Sequence, residues 1–206
     1  MINTFKQYFL REQAEGRNIV LFPGSFKPPH KGHFQLIENF KKMAGDKGFV
    51  NVIVTDPSPK SRRRTPSGKY VPGQVAADIL QRYVNELGLR NVNVKVAKNA
   101  VGEVYDFVRE QAQPGDNIIV GVGGKGDDKA RYSGILKSVP EGVNVNIEVA
   151  DVIGGDTGEA ISASQFRDVL DNPTPESILP YIPERLRDNK SLVQYVVEQL
   201  SNLPSD

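Results

Sequence analysis

The chain of 206 residues has no cysteine, no tryptophan, two methionines and two histidines. Without cysteine there is no disulfide scaffold, no thiol nucleophile and no Cys-ligated zinc site. A reducing, cytoplasmic setting fits that composition. Neither sign of charge dominates, with 26 Lys+Arg against 25 Asp+Glu, a net of +1. This argues against a surface that is wholly a nucleic-acid or membrane footprint. No run approaches the ~20 apolar residues of a membrane span. The segment INTFKQYFLREQ near the start is broken by Lys6, Gln7 and Arg11 and lacks the continuous apolar core of a signal peptide. What is scarce is also concentrated, because His30 and His33 are the chain's whole histidine complement.

What is present alternates. Short β-branched runs at Asn18–Phe22, Asn51–Thr55, Val92–Val96, Asn117–Gly121 and Val143–Val149 read as strands. Helical stretches are expected at 32–44, 73–87, 101–112 and 130–138. Val75, Ile79, Tyr83 and Leu87 recur at four-residue spacing, one helix face laid on a sheet. Strands alternating with helices of this length predict an α/β doubly wound fold, about five mostly parallel strands covered on both faces. At about 150 residues per domain the length suits one domain. Its core is expected over 18–172, with helical extensions at 1–17 and 173–206. The first extension carries Ile2, Phe5 and Phe9. The second carries Leu192, Val193, Val196, Val197 and Leu200 over 184–202, a stripe that suits docking on the core or on a second copy of the chain.

The first strand runs into Gly24-Ser25-Phe26-Lys27-Pro28-Pro29-His30-Lys31-Gly32-His33 and then an apolar-periodic helix. Glycine lets backbone approach a phosphate closely, and a helix start offers N–H groups and a positive dipole end. Histidines three apart in a first turn share one face and could aim two donors at an oxygen gaining charge. A metal site is disfavoured, since His-x-x-His alone lacks further ligands. This segment resembles the HxGH signature of the nucleotidylyltransferase superfamily, whose pattern runs Gly-Thr/Ser-Phe-x-Pro-x-His-x-Gly-His after the first strand. Gly24, Ser25, Phe26, Pro28, His30, Gly32 and His33 match it. Lys27 departs, since many members carry Asp there.

Ile161-Ser162-Ala163-Ser164-Gln165-Phe166-Arg167 follows a Gly-rich stretch and opens a predicted helix. Ser162 or Ser164 suits an N-cap, and Arg167 could fork onto phosphate oxygens. The segment is similar to the superfamily's second signature, close to Ile-Ser-Ser-Thr-x-x-Arg, with Ala163 departing where a hydroxyl is usual. The arginine register is nearer to adenylyltransferases than to cytidylyltransferases.

Two stretches invite other conclusions. Gly121-Val122-Gly123-Gly124-Lys125-Gly126 satisfies the dinucleotide fingerprint, but Asp127 and Asp128 stand where its helix should begin. From Pro57 to Ala77 there is no acid, while Lys60, Arg62, Arg63, Arg64 and Lys69 supply five cations. That loop suits a solvated, mobile segment, a cover for phosphorylated substrates, or a nucleic-acid contact. Few aromatics are interleaved, and its place after the second strand favours substrate.

The resemblance implies a Rossmann-like sheet of order 3-2-1-4-5 and transfer of a nucleotide from ATP, or alternatively CTP, to a phosphorylated acceptor with release of pyrophosphate. Nicotinamide mononucleotide is the first candidate acceptor. It implies His30, His33 and Arg167 as catalytic residues. Gly24, Ser25, Phe26, Gly32, Gly121, Gly123, Ser162 and Ser164 are implied around the nucleotide, with Tyr132 as an aromatic near the base. Mg²⁺ would be held mainly by the nucleotide. Lys27, Lys60, Arg62, Arg63 and Arg64 are the candidates for acceptor binding. Self-association through the C-terminal helix is a further expectation; nucleic-acid binding by residues 60–69 is the alternative from a different class.

Overall fold

The computed structural model describes residues 16–56, 58–123, 128–150 and 163–205. The expected N-terminal helix, Gly124 to Asp127 and Ser162 lie outside them.

Five strands form one sheet: β1 (Asn18–Gly24), β2 (Phe49–Thr55), β3 (Val92–Ala97), β4 (Asn117–Gly123) and β5 (Asn144–Ala150). All ladders are parallel and the order is β3-β2-β1-β4-β5. The period of two along each strand sorts the side chains between two cores. Val20, Phe22, Val50, Val52 and Val54 point to one face, where α1 (Lys31–Ala44) and α2 (Gly73–Glu86) bury Phe34, Ile37, Phe40, Ile79 and Tyr83. Ile19, Leu21, Ile53, Ile118, Val120 and Val122 point to the other, under α3 (Ala100–Glu110) and the short α4 (Asp128–Tyr132). This is the doubly wound sheet that strand and helix alternation predicted.

The ladders also open the crevice. Pairing of β1 with β4 stops at Leu21–Val120, whereas pairing with β2 continues to Gly24–Val54. Pro23, which has no N–H to donate, falls where β1 has already lost its β4 partner. The switch point between β1 and β4 is therefore splayed at its carboxyl end, where open α/β sheets bind ligands.

Three boundaries differ from the sequence expectation. The stretch 130–138 is not one helix: α4 ends at Tyr132 and a 3₁₀ turn, Ser133–Lys137, follows. The C-terminal helix begins only at Lys190, after a 3₁₀ turn at Glu184–Leu186, because the Asn189 side chain accepts the Leu192 N–H and caps it there. Before it, α5 (Ala163–Asp168) and α6 (Pro175–Ile178) are short. The apolar stripe of the last helix, α7 (Lys190–Ser201), is buried within the chain, in the core that α2 also covers. Its docking partner is the chain's own core, so the stripe does not offer a surface for self-association. No described helix is long and apolar enough to cross a membrane.

Candidate active site

At the splayed end of β1 the chain turns through Phe26, a non-glycine residue at φ 51. That left-handed backbone costs on the order of 1 kcal/mol or more and persists only where packing enforces it. Here the Phe26 ring is 3% exposed, meets Phe22 edge-on at 5.1 Å and crosses over Gly24, where any Cβ would sit 2.7 Å from the ring. Gly24 thus makes room for Phe26. Phe26 in turn backs His33, edge to face at 5.2 Å. Its ring is thus buried between Gly24, Phe22 and His33.

The histidines do not occupy ordinary positions on a first turn. His30 is the N-cap of α1, and its Nδ1 accepts the Gly32 N–H at 3.2 Å. His33 reaches back, and its Nδ1 accepts the His30 N–H at 3.4 Å. Together they form a capping box made of imidazoles, where Ser/Thr and Glu/Gln are usual. The rings stack with centroids 3.7 Å apart. A ring nitrogen that accepts an N–H carries no proton, so each neutral imidazole holds its proton on Nε2. Both residues present the same tautomer, with donors at the ring edge away from the backbone. His30 is buried and His33 half-buried; Ser25 beside them is exposed.

The second motif meets the first directly. Arg167 donates from Nη1 to the Lys27 carbonyl at 3.0 Å and from Nη2 to Ser164 Oγ at 2.8 Å. Its helix is anchored by Phe166, buried and stacked flat on Tyr181 at 4.2 Å, and by buried Leu170. Ser164 lies inside α5 and binds Arg167, so it is not the helix cap. Burial, and then the charge of Arg63, lower the Arg167 pKa.

The basic loop is structured. Thr65 N–H donates to the Lys69 carbonyl at 2.7 Å, Arg64 bridges Tyr70 in antiparallel fashion, and Gly68 takes the positive φ of 89° that the turn requires. Asp171, four residues past Arg167, accepts the Ser67 N–H at 3.0 Å and the Ser67 hydroxyl at 2.5 Å. The hydroxyls of Ser67 and then Thr65 hold its carboxyl below the usual range. The Arg62 guanidinium lies 4.0 Å above the Tyr70 ring. The hairpin is thereby tied to the segment that follows α5. Arg62 acts electrostatically on Lys27, and Arg63 on Arg167. Arg64 binds the Gly68 carbonyl within the hairpin, and Lys60 is exposed in a 3₁₀ turn. Sequence reasoning anticipated the cations but missed Asp171 and Asp56, whose parts appear only in the folded chain.

The structure also places the residues expected around β4. Gly121 is a packing glycine, since a Cβ there would meet the Phe40 ring at 2.3 Å. Gly123 differs: it faces open space at the crevice. Tyr132 is 4% exposed, in the core under α3. Among the described residues no three His, Asp or Glu side chains gather as metal ligands.

The histidine loop, β2 and the basic hairpin together form a recognisable unit. Residues 21–70 match the cytidylyltransferase-like family. The match begins within β1 and ends at Tyr70, so it contains both histidines and the cations from Lys27 to Lys69. The resemblance to the nucleotidylyltransferase superfamily therefore stands on this match as well as on the HxGH motif. No curated protein matches the chain in sequence. Among solved structures it is similar to Plasmodium falciparum nicotinic acid mononucleotide adenylyltransferase complexed with NaAD, at 13% identity and a TM-score of 0.48, over 88% of this chain and 95% of that one.

Proposed function

We propose that this chain is a nucleotidylyltransferase that moves a nucleoside monophosphate from ATP to a phosphorylated small-molecule acceptor, with release of pyrophosphate. The single observation that carries this reading is the imidazole capping box, which fixes both histidines as Nε2–H donors beside a splayed strand end. An acceptor phosphate oxygen attacks the α-phosphorus and forms a P–O–P link. The bond from that phosphorus to the α–β bridging oxygen breaks, and its electron pair leaves with pyrophosphate. No protein nucleophile takes part, since preorganised donors stabilise charge as it develops. His30 and His33 hold phosphate oxygens of the crowded transition state. Ser25, exposed beside them, and the Gly24 and Gly32 backbone complete that side. Arg167 and Ser164, with Ser162, hold the outer phosphates, and Gly123 leaves room at the crevice. Mg²⁺ supplies charge neutralisation when bound and belongs to the triphosphate and water.

ATP is preferred over CTP because of the register of Arg167 in the second motif, and the same register makes nicotinamide mononucleotide the first acceptor to try. A thermal-shift comparison of ATP with CTP separates the two donors. Arg62 acts electrostatically on Lys27 and Arg63 on Arg167, which supports a small phosphorylated substrate over nucleic acid. A reducing, cytoplasmic setting suits the cysteine-free chain. His33→Ala removes one donor and should slow pyrophosphate release by on the order of 10²–10³, about 3–4 kcal/mol. A folded variant that turns over at the wild-type rate would exclude the mechanism.

A further inference from the structure

Arg167 stands on a helix too short to hold itself in place. α5 has six residues, and an isolated helix of that length is not stable in water. Its position is therefore set by what its side chains and its exit touch. Phe166 and Leu170 bury one side. The exit is a bonded turn, in which the Phe166 carbonyl accepts the Val169 N–H at 3.3 Å and the Arg167 carbonyl accepts the Leu170 N–H at 3.1 Å. Arg167 and Asp171 stand at the two ends of that turn, so a grip on Asp171 is carried to Arg167.

The grip comes from the basic hairpin, 104 residues away in sequence. The Ser67 N–H and hydroxyl converge on the Asp171 carboxylate, a charge-assisted pair of bonds, and Lys69 Nζ donates to the Asp171 carbonyl at 3.3 Å. The hairpin is itself held from its other edge. The Tyr70 N–H donates to the Pro204 carbonyl at 3.0 Å, and Lys69 forms an antiparallel bridge with Ser205. With the bridge from Arg64 to Tyr70, these contacts make a small three-stranded sheet from the loop after β2 and the residues after α7. A hairpin alone is marginal in water, and a third strand is what makes it hold. Leu203, 7% exposed, anchors that third strand in the core.

We infer that Asp171 is a positioning residue for Arg167: it fastens the second motif to the basic hairpin, while Pro204 and Ser205 brace the hairpin from behind. This rests on the nucleotidyl-transfer reading for what Arg167 does, and it adds a residue outside both motifs. Asp171 acts through Arg167, because its carboxylate is already committed to Ser67. The placement of one guanidinium thus depends on three separated stretches of chain.

Three full-length variants test this: Asp171→Ala, Asp171→Asn, and Asp171→Ala combined with Lys69→Cys and Ser205→Cys. The chain has no cysteine, so the last protein holds only two thiols. They face each other across a bridge whose Cα atoms are expected about 4.5 Å apart, within reach of a disulfide. Hairpin order is read as the rate of trypsin cleavage after Arg64, and Arg167 placement as the KM for ATP in pyrophosphate release. Asp171→Ala should be cleaved about tenfold faster, since lost hydrogen bonds let the hairpin open more often. Its KM should rise about tenfold while kcat stays within about twofold of the wild type, the pattern of lost uniform binding. Asp171→Asn keeps an oxygen for Ser67 and should bring both values back to within about threefold. Oxidising the two thiols should slow cleavage again relative to the reduced form yet leave the KM raised, because the disulfide braces the hairpin without replacing its tie to α5. An unchanged KM in Asp171→Ala, or a fall in kcat in step with the melting temperature, would make Asp171 merely structural and overturn the inference. A KM that returns on oxidation would overturn it too, as would thiols that fail to cross-link. If the wild type releases no pyrophosphate, it is the nucleotidyl-transfer reading that falls, and the cleavage series still decides whether Asp171 holds the hairpin.

Discussion

The two ends of β1 both carry a basic residue, and the fold treats them in opposite ways. At the entry, Arg17 lies against Asp116, which is 2% exposed. Asp116 accepts the Arg17 Nε at 2.8 Å and Nη2 at 2.5 Å, together with the Gln113 N–H at 2.8 Å. At the exit, Lys27 is buried without a hydrogen-bond partner, and Arg62, Arg63 and Arg167 stand close enough to act on one another's neighbours. The same chain that completes a hydrogen-bonded ion pair at one end leaves the Lys27 ammonium at the other with Asp56 acting on it only from a distance. Asp171, four residues past Arg167, does not pair with those cations. It holds the Ser67 end of the hairpin instead. The entry end holds its charge in a hydrogen-bonded pair, and the exit end holds a buried ammonium without a hydrogen-bond partner.

Substitutions at the two ends should therefore separate rate from stability. His30→Asn keeps a good N-cap on α1 but removes an Nε2–H donor. It should slow pyrophosphate release by on the order of 10²–10³ while the urea midpoint stays close to the wild type. A large loss of stability with little loss of rate would reverse the roles of the two ends. Asp116→Ala leaves the Arg17 and Gln113 donors without their acceptor. A fully buried pair would cost more, but the Arg17 side chain is 41% exposed, so about 2 kcal/mol is expected by urea titration, with anion binding unaltered.

A smaller and more diagnostic contrast lies in the pH dependence of stability. Burial raises the Asp116 pKa, but hydrogen bonds from Arg17 and the Gln113 N–H lower it more, so its folded value is below the ordinary one. That contribution is present above the unfolded carboxylate pKa and is lost as pH falls through the folded value. Lys27 gives a slope of the same sign on the alkaline side, where relief of a destabilising buried charge takes the place of a favourable ion pair. Folded Lys27 releases its proton near 8, while the unfolded chain keeps its proton to 10.5. In that window the unfolded state binds more protons, so stability should rise with pH, by roughly 1–3 kcal/mol. Urea titrations from pH 8 to pH 10.5 on the wild type and Lys27→Met measure it; an equal rise in both would assign the effect to other groups.

Much of this was legible in the sequence. β-branched runs alternating with apolar-periodic helices gave all five strands and both cores, because burial on two faces imposes continuous apolar runs. The strand order and the meeting of the two motifs followed from the resemblance. Strand ends were less legible: Pro23 and Gly24 look like a break, yet β1 continues on its β2 side alone. The single glycine pattern at 121–126 concealed two roles, since only the folded chain brings Phe40 against Gly121. Lys27 was legible only as a departure from the usual Asp of the motif; its burial appears only in the folded chain. The same is true of the basic loop, whose tie to Asp171 spans 104 residues.

The capping box has one more consequence. Main-chain N–H groups at the start of α1, which might have met a phosphate themselves, point into ring nitrogens. Each forms a short relay of N–H to Nδ1 and, across the ring, Nε2–H outward. Successive hydrogen bonds of this kind polarise one another, so an imidazole backed by a peptide N–H is a stronger donor than one in water. The positive pole of the helix is carried outward by the width of a ring. The position of that pole is then set by side-chain rotamers that stacking and the Phe26 edge hold in place. Moving α1 by even a fraction of a turn would mis-aim both donors at once, so the packing of Phe34 and Phe40 beneath the sheet is also what aims the site.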